Sequence, residues 1–225
     1  MSEKSKIRIY REKLAEKPKD AEVSDRLFSI EYMRECLLNL ISEKHYANAL
    51  RAMDVMVKYH SGAVRKGSAH IPYIVHPMVM ASQAFALGID DDEIVSACLL
   101  HDVLEDSDAT EDDLEMPEII TEAVKILSFD KKSGSSWEEA KEIYYDSIAS
   151  NRIATIVKVL DRCNNISNMT QAFSHTRMNE YIDETEKYIM PLLEIMKDEN
   201  ANMANAVFIL KYHMISVLDS LKPLI

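Results

Sequence analysis

From Ser24 onward, apolar residues recur at intervals of three and four in almost every segment of the chain, the spacing that lines one face of a helix. The clearest run lies near the C-terminus, where Met178, Ile182, Thr185, Ile189, Leu192 and Met196 step by four and three, with Tyr181, Tyr188 and Leu193 alongside. Ser174 stands where an N-cap belongs. Pro191 falls inside the pattern and predicts a kink or an early end, because proline cannot donate the next backbone hydrogen bond. Ser136 with Glu139 forms a capping-box pattern ahead of a helix over 137–149, and Thr110 with Asp113 resembles another. A last helix is predicted over 202–221, around Val207, Leu210, Met214, Val217 and Leu218. Loops are expected at 61–72, 107–109, 116–117 and 130–136, and no segment alternates long enough to predict a strand. The pattern predicts an all-α fold, one domain of about nine or ten helices over 24–225, preceded by an N-terminal arm, 1–23, that is mobile or docks late.

Composition supports that reading, with four glycines, six prolines and abundant helix formers in 225 residues. The 13 methionines read as gap-fillers between packed helices. A net charge of −12 counts against a general nucleic-acid binder, which needs a basic face to displace counterions. Acid is concentrated: residues 90–118 hold 13 Asp or Glu and no Lys or Arg, whereas the first twenty residues carry seven basic residues against four acids. Residues 68–89 run for 22 positions without Asp, Glu, Lys or Arg. His70, Pro72, His76, Pro77, Ser82 and Gln83 interrupt that run, so no membrane span is expected. Cys36, Cys98 and Cys163 are odd in number and lack CxxC spacing, as expected of reduced thiols in a cytoplasmic protein.

Within the acidic span, the stretch LLHDVLED runs an apolar helix into His101-Asp102 and then into Glu105-Asp106. Carboxylates so close together repel unless solvent or a cation relieves them. Upstream, IPYIVHPM places His76 at the start of an apolar helix; downstream, IVKVLDRCNN places Asp161 near the end of another. Brought together, His76, His101, Asp102 and Asp161 form a mixed nitrogen and oxygen set that suits Mn²⁺, Fe²⁺ or Zn²⁺ and lacks the thiolates of a structural zinc site. Asp161 and Asn165, four apart, fall on one helical face, with Asn168 about a turn further on. His101 with Glu105, and Asp102 with Asp106, would align in the same way only if the helix continued past Val103, and it is expected to stop. His45, His60, His70, His175 and His213 lack such partners and read as structural or solvent-facing, and Asp90 to Asp92 read as caps of the helix that delivers His101.

Taken in order, RKGSAHIPYIVHP, LLHDVLED and VKVLDRCNN resemble the HD-domain hydrolases of the RelA/SpoT alarmone family, most closely the small, hydrolase-only members, over residues 47–169. That resemblance implies an all-α HD-domain fold in which Mn²⁺ is held by His76, His101, Asp102 and Asp161, with Fe²⁺ or Zn²⁺ as substitutes. It implies removal of the 3′-pyrophosphate of ppGpp and pppGpp, with Glu105-Asp106 as the hydrolase signature that activates or positions water. Arg65-Lys66 matches the pair on the base side of the pocket, Asn165 a nucleoside contact, and Asn168 the place of a common threonine. The partner it implies is a small nucleotide, and no synthetase domain is expected. The chain departs from the family in three places. Two extra residues separate Lys66 from Pro72 relative to RKxGxPY; Asn164 stands where many members have His in DRLHN; Asn168 replaces the threonine. All three bear on the nucleoside side, so the alternatives kept open are another nucleotide (a deoxynucleotide or a nicotinamide dinucleotide phosphate) or a catalytically silent nucleotide sensor.

Overall fold

Side-chain caps start some of the helices, and the start of the second is supplied from a distant part of the chain. The computed structural model describes residues 29–65, 71–130, 133–200 and 202–225, together with Lys6, Ile7 and Arg11; the rest of the N-terminal arm, Lys66 and the lengthened loop after it lie outside the described residues. Helix α1 (Ile30–Glu43) starts at Ser29, whose Oγ accepts the Tyr32 N–H at 3.3 Å. Helix α2 (Ala47–His60) has no side-chain cap of its own. Instead Asp92 reaches across and accepts the N–H groups of Asn48 and Ala49 at 3.1 and 2.8 Å. Of the three acids expected to cap the helix leading to His101, only Asp91 does so: it accepts the N–H groups of Glu93 and Ile94 at the start of α4 (Asp92–Leu100), while Asp90 bonds Lys44 and Tyr46. Asp92→Ala is therefore expected to remove the cap of α2, costing about 1–2 kcal/mol in chemical denaturation, whereas Asp92→Asn, which keeps an acceptor oxygen, costs less.

Between α2 and α4 lies α3 (Val75–Ala86), with Pro77 in its first turn, where the missing N–H would have no helical partner anyway. It ends at Gly88, whose φ of +74° lets the Ile89 N–H fold back onto the Ala84 carbonyl. The remaining elements are the short α5 (Val103–Asp106), a 3₁₀ turn (Glu111–Leu114), α6 (Glu118–Leu127), α7 (Trp137–Ala149) and the long α8 (Arg152–Ala172). They are followed by α9 (His175–Glu184), α10 (Met190–Glu199), α11 (Ala204–Leu221) and a terminal 3₁₀ turn (Lys222–Leu224). Among the described residues the only extended pairing is an isolated bridge between Val64 and Pro72, so the all-α expectation holds.

Local details differ from the sequence pattern in instructive ways. Ser136 does accept the Glu139 N–H, but the Glu139 carboxylate returns to the N–H and hydroxyl of Ser135 and not to Ser136, so the expected box is displaced by one residue. Pro191 neither ends nor sharply breaks the C-terminal helical run. A π turn (Thr185–Ile189) joins α9 to α10 just before it, and this widened turn absorbs the backbone bond that proline cannot make.

Every residue of α4 from Ile94 to Leu100 is buried, as suits a helix that is apolar all round. It packs against α2, α3, α6 and α8 and so forms the centre of the core. Met53, Met56, Met78 and Met80 are fully buried there. No described helix is long and apolar enough to cross a membrane.

Candidate active site

The central helix α4 stops at the point where chemistry was expected. His101 and Asp102 form a turn, and α5 restarts with the Asp106 N–H on the Asp102 carbonyl at 2.8 Å. The break turns the His101 ring inward and sets Glu105 and Asp106 on a separate short helix, as expected from a helix that does not run on past Val103. Helix α3 delivers His76 from its first turn, and α8 delivers Asp161. Asp161 lies in the middle of α8 and not near a helix end; the sequence reading ended the helix too early because DRCNN turns polar where the helix turns toward a cavity.

One ligand atom each from His76, His101 and Asp161 lies within 4.8 Å of the others, and all three residues are buried. His76 Nε2 is 3.2 Å, and His101 Nε2 3.8 Å, from Asp161 Oδ1. The His101 Nδ1–H donates to the Cys98 carbonyl at 2.9 Å, which leaves Nε2 of the neutral ring with its lone pair. That Nε2 lies 2.8 Å from Asp102 Oδ2, yet it is buried without a hydrogen-bond partner. A buried imidazole nitrogen that bonds nothing, facing two carboxylates, fits a divalent cation, and the donor set is the nitrogen and oxygen mixture such ions take. Asp102 stands beside this trio but outside it: the Tyr73 hydroxyl donates to Asp102 Oδ2 and lies 3.2 Å from Asp106 Oδ2.

The charges around the cluster favour a positive occupant, a proton on His101 where no cation is bound. Burial works against protonation of His101, but the carboxylates of Asp102 and Asp161 outweigh it and push the ring up to about 9. Burial of His76 lowers its pKa. Burial also opposes the charge of Asp161, yet Lys158, with its ammonium 3.2 Å from Oδ2, and the two histidines hold that carboxyl well below the usual range. Asp102 is lowered likewise, the His101 ring outweighing its burial. Of the two basic neighbours of Asp161 in sequence, only Lys158 pairs with it; Arg162 turns away into the core.

His76 and Asp102 line a cavity of about 620 Å³ whose wall also holds Glu105, Asp106, Arg65, Asn165 and Asn168, while His101 and Asp161 are buried beside His76. Asn165 links two functions: its Nδ2 donates to Asp161 Oδ1 at 2.6 Å, and its Oδ1 accepts from Arg65 at 2.9 Å. Asn168 bonds back to the Asn164 carbonyl at 3.1 Å while lining the cavity. Glu105 is anchored by the Phe129 N–H at 3.1 Å, and partial loss of hydration in the cavity wall raises its carboxyl above the ordinary value. Sequence reasoning missed Tyr73, His60 and the far wall made by Phe173, Arg177 and Tyr181. Tyr73 had a signal in its place beside the predicted ligand segment. His60 is buried as a structural histidine would be, but its ring packs 4.6 Å from that of Tyr73 and lines the cavity. The far wall had no signal, because Arg177 sits on the polar side of an ordinary amphipathic helix.

No protein-family model matches the chain. It is 29% identical over 145 residues to a GTP pyrophosphokinase of Myxococcus xanthus, a match covering 60% of this chain and 19% of that protein. It is also 29% identical over 145 residues to guanosine-3′,5′-bis(diphosphate) 3′-pyrophosphohydrolase MESH1 of Homo sapiens, covering 61% of this chain and 80% of that one. The chain thus spans about a fifth of the long bacterial relatives and most of the short animal ones. A solved structure of a metazoan ortholog of SpoT that hydrolyzes ppGpp shares the fold, with a TM-score of 0.60 at 21% identity, over 77% of this chain and 95% of that one. In sequence the chain is similar to the small RelA/SpoT-type hydrolases, and it shares their all-helical fold.

Proposed function

We propose that this protein removes the 3′-pyrophosphate of guanosine 3′,5′-bis(diphosphate) and its 5′-triphosphate analogue, giving GDP or GTP and pyrophosphate. The observation that carries the reading is that Glu105 and Asp106 share a cavity wall with His76 and Asp102, and that His76 belongs to the buried cluster with His101 and Asp161. Relatives bearing this activity in their names cover most of their own length with this chain, which supports the same substrate class.

His76, His101, Asp102 and Asp161 would hold a divalent ion, Mn²⁺ first and Fe²⁺ or Zn²⁺ as substitutes, and that ion would supply a more acidic water and a polarised phosphoryl oxygen. Glu105, with its raised pKa, takes the proton of the attacking water as general base. Asp106 and Asp102 share the Tyr73 hydroxyl, which ties the short helix α5 to the start of α3 and holds the two carboxylates in register. Arg65 faces the nucleoside side through Asn165, with a planar guanidinium suited to stacking on a purine or gripping phosphate. Lys66 joins it there in this reading, and Asn165 and Asn168 offer amide groups to the sugar or base. Water adds to the phosphorus next to the 3′ oxygen, that P–O bond breaks, and the ribose oxygen is released with a proton.

The test is a panel of nucleotides incubated with the Mn²⁺ protein, with and without chelator. Pyrophosphate released from guanosine 3′,5′-bis(diphosphate), and lost on chelation, is the expected result. Orthophosphate from a deoxynucleotide or a nicotinamide dinucleotide phosphate, with the guanosine compound untouched, would move the protein to another substrate. Binding without turnover would make it a sensor.

A further inference from the structure

We propose that Asn164 is a positioning residue that fixes the tautomer of His76 and so aims its Nε2 lone pair at the cation site. The inference deepens the metal-site reading above and is independent of which nucleotide is hydrolysed.

The argument starts from helix geometry. Asp161 and Asn164 are three apart on α8, neighbours on one face. Both touch the same buried imidazole, at opposite nitrogens: Asp161 Oδ1 lies 3.2 Å from His76 Nε2, and Asn164 Oδ1 lies 2.7 Å from His76 Nδ1. A carboxamide oxygen can only accept, so Nδ1 carries the proton and Nε2 keeps its lone pair. His101 is held in the same sense, its Nδ1–H on the Cys98 carbonyl, so both rings present Nε2 to Asp161. The two anchors differ in kind. The carbonyl of Cys98 is fixed by the helix, whereas the tautomer of His76 depends on one side chain. With the amide turned round, its NH₂ would donate to Nδ1, and the proton would sit on Nε2, between the ring and Asp161, where a cation could not be ligated.

The same contact gives a role to a residue that otherwise looks like a departure on the nucleoside side. Asn164 stands where many members of the resembling family have His. An imidazole at that place can accept through one nitrogen only while neutral, but an amide does not titrate. The substitution makes the anchor of His76 independent of the protonation of its partner.

Partners of this kind typically alter metal affinity about 10–100-fold when removed. In the full-length, metal-free protein labelled with ¹⁵N, long-range ¹H–¹⁵N correlation is expected to show His76 with its proton on Nδ1. Titration calorimetry with Mn²⁺ alone is expected to show affinity weakened about 10–100-fold in Asn164→Leu, and retained or tightened in Asn164→Asp, which keeps an acceptor oxygen. A proton on Nε2 of His76 in the parent protein would overturn the proposal, as would parent-like Mn²⁺ affinity in a folded Asn164→Leu. Should the leucine variant fail to fold, the tautomer of the parent and the affinity of the aspartate variant still decide the matter. Absence of guanosine-nucleotide hydrolysis with the affinity order intact would remove the proposed substrate and leave this role standing. Hydrolysis with no Asn164 dependence of Mn²⁺ binding would do the reverse.

Discussion

A protein carrying both Glu105→Gln and Asp106→Asn is expected to lose roughly 10²–10⁴-fold in turnover of guanosine 3′,5′-bis(diphosphate), the range for removing a general base, while binding Mn²⁺ as the parent does. Neither carboxylate belongs to the buried trio of His76, His101 and Asp161; both stand on α5, beyond the break at His101 and Asp102. Amides keep the size and much of the hydrogen bonding of the acids, so the Phe129 N–H and the Tyr73 hydroxyl retain acceptors. What disappears is the capacity to take a proton. The single variants separate the roles. Glu105→Gln alone is expected to cause most of the loss, since Glu105 is the carboxyl whose affinity for protons is raised toward the working range. Asp106→Asn is expected to act more mildly, through the hydroxyl it shares with Asp102. Parent-like turnover in the double variant would end the assignment of a base to α5, and loss of Mn²⁺ would show instead that these acids are ligands.

The buried cluster of His76, His101 and Asp161 was legible because each member sits at a change of pattern: a proline after His76, a helix break at His101, and a shift from apolar to polar residues after Asp161 within one continuous helix. Helical spacing placed Asn165 and Asn168 beside Asp161; both line the cavity, and Asn165 bonds the buried Asp161. What could not be read were relations between distant segments. Asp92 looks like a local cap, since it opens a helix, but its carboxylate serves α2, forty-odd residues earlier. Lys158 reads equally well as a solvated lysine; only the packing of α8 turns its ammonium onto Asp161. Phe173 and Arg177 join the cavity because the chain reverses after Ala172, a direction that no periodicity encodes. The π turn before Pro191 was half legible. Proline announces a defect in the ladder, but whether the helix ends, bends or widens depends on what is packed against it, and here Arg162 is packed against it.

That buried arginine carries the second large expectation. Glu184→Leu is expected to destabilise the protein by about 3–5 kcal/mol in chemical denaturation, because it strands a cation in the core. Arg162 is 2% exposed. Its Nη2 donates to Glu184 and to the Tyr145 hydroxyl, and its Nη1 reaches the Tyr181 carbonyl and the Thr185 hydroxyl, with the guanidinium 3.8 Å above the Tyr181 ring. Glu184 also accepts from Tyr145 at 2.9 Å and pairs with Lys141 at 2.5 Å. The network thus joins α7, α8 and α9 at the entrance to the π turn. Adding Arg162→Met to Glu184→Leu is expected to restore much of the stability, since an apolar pair leaves no charge unanswered. The pH dependence gives a second measure. Burial raises the Glu184 carboxyl, but Arg162 and Lys141 outweigh it and lower the group to about 2, against an ordinary 4.5. A depressed carboxyl stabilises the fold fully above its unfolded value, and its contribution fades as pH falls from about 4.5 toward 2. The difference in stability between the parent and Glu184→Leu is therefore expected to be flat from pH 7 to about 5 and to shrink below that. A difference that stayed constant down to pH 3 would mean that Glu184 acts by packing alone, and that the charge of Arg162 is answered elsewhere.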